Sequence, residues 1–192
     1  METPVQTRIA VEMEIRVAFR DVTLGGGISI RQAQFIDFSS SGARGAHSTP
    51  PARQGIETEW SRIPLDEIIN DWSRVSLDEL ERDCIAHLDA LGFRYYIPAL
   101  MLSVVDRYDP SSLRVIGTLD GLYPKKDDGW EYHMHRYSLL NFRQKAATAR
   151  FLAALPKLVQ LESKDQKVVE RALRNYWGEY LQADATGDGK RE

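Results

Sequence analysis

The sequence is poor in cysteine, in long apolar runs and in net charge. One cysteine, Cys84, in 192 residues excludes a disulfide scaffold, and a lone thiol fits a reducing compartment. No stretch approaches the ~18 consecutive apolar residues that a membrane-spanning helix needs. Residues Met1 to Ala10 lack the basic-then-apolar pattern of a secretory signal. A formal charge of -3 gives no overall pull toward nucleic acid. There is no nucleophile elbow of the G-x-S-x-G type, no P-loop and no G-x-G-x-x-G fingerprint. The expectation is a cytoplasmic protein with no membrane contact and no cofactor. What is present is 43% hydrophobic residues and 28% charged ones, enough to enclose one sizeable core.

Charge is unevenly spread. Glu57 to Asp89 holds ten acidic residues against three arginines, and Arg136 to Arg174 holds nine basic residues against three acidic ones. All seven lysines lie at or beyond Lys125. Such runs mostly decorate the solvated faces of helices. In the last candidate helix Lys164, Lys167, Arg171 and Arg174 recur at spacings of three, four and three. They oppose Val169, Ala172, Leu173, Tyr176 and Trp177, which must face the core, so the basic stripe is expected in solvent.

Between loop signals the pattern is helical. Ile9, Met13 and Val17, with Ala10 and Phe19, form the expected inward face of a first helix. Gly25-Gly26-Gly27 breaks the chain before Ser29, which opens a second helix with Ile30, Ala33 and Phe35 or Ile36 facing in. Ser39 to Gly55 is rich in Ser, Gly, Ala, Arg and Pro and reads as an exposed loop. Ser76 and Glu79 form an S-x-x-E capping box. Leu77, Leu80, Cys84, Leu88 and Leu91 then continue one stripe to Gly92, placed for a C-terminal cap. Phe93 to Pro98 reads as an aromatic corner between helices, with Pro98 in the first turn of the next. Asp109-Pro110 starts a short helix carrying Leu113 and Ile116. Asn141 with Gln144, and Ser163 with Gln166, repeat the cap logic for two final helices. Glu131 to Tyr137 is the segment that could pass for a strand. The expected fold is all-α: a single domain over residues 1–182, with seven or eight helices, at most two short strands, and a disordered tail at 183–192.

Three stretches together carry a resemblance: Gly27-Ile-Ser-Ile-Arg-Gln-Ala33 through Asp37, Trp60-Ser-Arg-Ile-Pro64, and Gly92-Phe-Arg-Tyr-Tyr-Ile-Pro-Ala99. Leu139-Leu140, Gln144 and Phe151-Leu152 complete the set. From about Ile9 to Leu155 the chain resembles an uncharacterised bacterial group, the domain-of-unknown-function family 6714. It departs from that group in Ser39 to Gly55, which has lost most of the acidic residues expected there. The resemblance supports the helical fold and implies no activity and no catalytic residues.

The candidate chemistry is sparse. Cys84 and His87, at i and i+3, could form a thiol–imidazole pair, but both continue apolar stripes and read as packing. His133 and His135 flank Met134 beside Glu131; on a strand, i and i+2 point the same way, so the two imidazoles could share a metal. No second ligand cluster completes that site. The glycine triplet could offer N–H groups to a phosphate, yet a helix rather than a strand precedes it. The favoured reading is a non-enzymatic protein that binds another protein, an accessory or immunity-like component of a bacterial defence or toxin locus. Its candidate contact residues are Arg143, Lys145, Arg150, Lys157, Lys164, Lys167 and Arg171. The alternatives are a small metal-dependent hydrolase built around Glu131, His133 and His135, and an anion or nucleic-acid binder using residues 136–174.

Overall fold

Thr3 and Gln6 start the first helix by a reciprocal pair of bonds. The Thr3 hydroxyl accepts from the Gln6 amide at 3.3 Å, and the Gln6 side chain accepts from the Thr3 amide at 2.9 Å. Two otherwise orphaned donors are thereby satisfied, and Pro4 fits the first helical position. The computed structural model describes residues 3–34, 36, 70–81, 85–126 and 129–181. Of these residues 71% are helical, counting 3-10 turns, and there is no strand among them. Helix α1, Pro4–Ala18, buries Val11 and Ile15, followed by Phe19. Of the expected inward face Phe19 is buried, but Ile9, Ala10, Met13 and Val17 lie in solvent. Ser29 and Gln32 form a second reciprocal cap, after which Ile30 and Ala33 turn inward as expected.

The Ser76 cap is present, its hydroxyl accepting from the Glu79 amide at 3.2 Å. The helix it opens, α2 (Leu77–Leu80), lasts about one turn and does not run on to Gly92. A 3-10 turn at Ile85–His87 follows, and Asp89 then starts a new helix, α3 (Ala90–Asp106). The Asp89 carboxylate accepts from the Gly92 amide at 2.8 Å and from the Ile28 amide at 3.0 Å. One side chain thus caps α3 and fastens it to the segment after the glycine turn. Gly92 is not a C-cap but lies inside the first turn of α3, where a Cβ would come within 2.3 Å of the Ile28 carbonyl. The aromatic segment is likewise no corner, because α3 continues through Pro98. Proline inside a helix removes one hydrogen bond and costs about 3 kcal/mol. Burial offsets it: Phe93, Tyr95, Tyr96, Ile97, Leu100, Met101 and Val104 all leave water. A helix apolar on every side belongs in the centre of a fold, and α3 touches helices before and after it in the chain.

Four helices complete the described chain: α4 (Leu113–Gly121), α5 (Trp130–Tyr137), α6 (Phe142–Leu158) and α7 (Ser163–Asn175). A 3-10 segment, Trp177–Leu181, seats Trp177 in the core, where its indole N–H donates to the Leu122 carbonyl at 2.7 Å. Helix α6 packs along α1 and against this 3-10 segment. Its expected box is present, with Asn141 and Gln144 bonded reciprocally. Helix α4 starts at Leu113 rather than at Asp109-Pro110; Leu113 is exposed, while Val115 and Leu119 enter the core. The Ser163–Gln166 box is absent, and Glu162 occupies the cap position of α7. The Tyr108 hydroxyl does that work from outside the helix, accepting from the Glu162 amide at 2.9 Å and donating to Asp165 at 2.6 Å. Burial, then the Asp165 bond, pushes the Tyr108 phenol up to about 12. Cys84, the loop at 39–55 and the tail at 183–192 lie outside the described residues, as does much of the acidic Glu57 to Asp89 stretch.

Candidate interaction surface

Two apolar stripes run along α1, and only one can face the core. Val11, Ile15 and Phe19 take the inside. Val5, Ile9, Met13 and Val17, each four residues apart, form a slanting ridge on the outside, with exposures of 67%, 60%, 62% and 53%. Isolated exposed apolar residues are ordinary, but four in register on one helix make a contiguous patch. Phe142, at the start of α6, is 55% exposed. It lines a cleft of about 240 Å³ with Val17, Ala18, Arg143 and Ala146. On the other side of α1, Arg16 borders a second cleft, of about 260 Å³, floored by Trp72, Leu80, Ala99 and Leu102.

The charges on this face are partly spoken for. Arg8 donates to Glu12 at 2.7 Å and to Asp106 at 3.1 Å, tying α1 to the end of α3. Glu14 pairs with Arg150 of α6; burial raises the Glu14 carboxyl and the Arg150 charge partly counters it. Arg16, Arg20 and Arg143 are exposed and have no acidic partner among the described residues.

The basic residues singled out from the sequence have different neighbours. Arg143 and Arg150 border the cleft against α1. Lys145 lies over the rings of Tyr176 and Tyr180, at 5.7 and 5.3 Å. Lys157 is exposed at the end of α6. Lys164 reaches the Pro110 carbonyl at 3.1 Å. Lys167 and Arg171 are exposed on α7, with Arg174 beyond them. Sequence spacing places residues correctly around one helix but says nothing of how α6 and α7 are turned relative to each other.

The histidine pair fares differently from the strand reading. Residues 130–137 are helical, so His133 and His135 stand ~200° apart around α5. His133 is buried, its Nδ1 3.3 Å from the Tyr137 hydroxyl, whereas His135 is exposed. Glu131 is exposed one turn earlier. The described residues contain no group of three or more His, Cys, Asp or Glu able to hold a metal. His87 is half-buried in the 3-10 turn at Ile85–His87.

The ridge on α1 was missed because the sequence carries both stripes at helical spacing. Periodicity identifies the helix but cannot choose between two apolar faces when each is complete. No described helix is long and apolar enough to cross a membrane. No curated protein and no solved structure matches the chain. The model of a family of unknown function, DUF6714, matches residues 7–181, and the chain belongs to that family.

Proposed function

We propose that this chain is a non-enzymatic binding protein, an accessory or immunity-like component, that engages another protein through the outer face of α1. The observation that carries this reading is the ridge of Val5, Ile9, Met13 and Val17, exposed along the whole helix while the opposite stripe is buried. Leaving four large apolar side chains in water sacrifices burial energy of roughly 1 kcal/mol or more each. Contiguous exposed apolar patches are characteristic of contact sites. The clefts on either side give a partner room to interdigitate.

A photo-crosslinking residue installed at Met13 tests this in the cells that make the protein. A discrete adduct is expected at that position, absent from the same substitution at Glu170 on α7, and lost when Ile9 is also replaced by Gln. Indiscriminate adducts from both positions, or none from Met13, would remove the reading.

A further inference from the structure

We infer that the occupant of the α1 face is an amphipathic helix of a partner protein whose apolar stripe is bordered by acidic side chains. The inference rests on reading that face as the contact surface and specifies what covers it. Shape is the first argument. From Val5 to Val17 the ridge runs about 18 Å at 1.5 Å per residue. A cleft flanks it on each side, one bordered by Arg16 and the other by Val17, Phe142 and Arg143. Side-chain ridges of one helix seat in the grooves beside another. Strand addition requires an unpaired sheet edge, and there is no strand among the described residues.

Charge is the second argument and selects the flanks. Arg8 and Arg107 offset Glu12 and Asp106, and Arg150 offsets Glu14. Among the described residues Arg16, Arg20 and Arg143 are left over, and the exposed Asp21 beyond the helix offsets one of them. A second copy of the chain would present the same positive excess and be repelled. A helix flanked by lysine is disfavoured for the same reason. One flanked by glutamate or aspartate complements the face, and complementary charge chiefly sets partner choice and association rate.

Two synthetic helical peptides of four turns test this against the full chain. They share one leucine stripe, bordered by glutamate in the first and by lysine in the second. Fluorescence anisotropy should give at least about tenfold tighter binding of the glutamate peptide, weakening as salt rises. That preference should collapse when Arg16, Arg20 and Arg143 are all changed to Gln. It should survive in a control of equal charge with Lys167, Arg171 and Arg174 changed to Gln. Should the triple variant lose its helical circular dichroism, Arg20→Gln alone must show a partial loss. Equal binding of both peptides, binding of neither, or a preference for phosphatidylserine vesicles over the glutamate peptide overturns the inference. So does a concentration-dependent dimer abolished by Ile9→Gln. A specific adduct at Met13 with no peptide preference would sink this inference and leave the binding reading standing; failure of both removes both.

Discussion

Arg114 is buried along its length, yet each of its nitrogens has a partner. Its Nε donates to Glu81 at 2.7 Å, Nη1 to the Ser103 hydroxyl at 3.0 Å and Nη2 to the Arg107 carbonyl at 2.8 Å. Arg136 is as deeply buried but meets no carboxylate among the described residues. It donates to the Ile85 carbonyl, lies 4.4 Å from the Phe93 ring centre, and leaves its Nε without a partner. Burial accordingly pushes the Arg136 guanidinium down. At the other site the Arg114 bond, helped by Ser112, holds the Glu81 carboxyl below its ordinary range. A carboxylate with a lowered folded pKa contributes stability above its unfolded pKa, and that contribution is lost as pH falls through the folded value. Glu81→Ala strands one buried donor of Arg114 and is expected to cost about 1–2 kcal/mol at neutral pH. Urea unfolding across pH checks this: the gap from the parent protein should close on acidification. A gap independent of pH would assign the loss to packing instead of the ion pair.

At the scale of elements, the start of α3 is where close approach dictates the residue. Alanine normally favours a helix over glycine by about 1 kcal/mol. At Gly92 the Cβ would meet the Ile28 carbonyl at 2.3 Å, backbone that cannot swing aside. Gly92→Ala is therefore expected to destabilise by about 1–3 kcal/mol, read from the urea midpoint. A stabilised variant would mean that α3 and the segment at Ile28 separate easily. That contact also explains what could and could not be read from the sequence. Caps made by neighbours in the chain were legible, as at Ser76, Ser29 and Asn141, because each is decided within four residues. The break between α2 and α3 was not, because Leu88 and Leu91 continue the α2 spacing. Asp89 ends that ambiguity by capping the next helix and binding Ile28, 61 residues away. Proline at position 98 looked like a helix start for the same reason: only the burial around α3 outweighs its cost. The α7 cap by Tyr108 is equally non-local, 54 residues from Glu162.

For the whole molecule, the central fact is the orientation of α1. Helix α3 fills the middle, α6 and α1 pack together along one flank, and the ridge of Val5, Ile9, Met13 and Val17 is left outside. From the sequence Ile9, Met13 and Val17 were expected inside, where the structure puts Val11 and Ile15. The tertiary contacts that choose between the two stripes, above all α1 on α6, join residues more than a hundred positions apart. The melting temperature of the Ile9→Gln, Met13→Gln double variant tests that orientation most directly. Glutamine is as good a helix former as methionine and slightly better than isoleucine, so propensity cannot account for a loss. If the ridge is surface, the two changes together should shift the melting temperature by no more than about 4 °C. Ile15→Ala, on the buried stripe, should cost about 2–5 kcal/mol in the same assay. A fall of roughly 8 °C or more in the double variant would contradict the account, since it would put the ridge inside the fold and leave no α1 face to bind a partner.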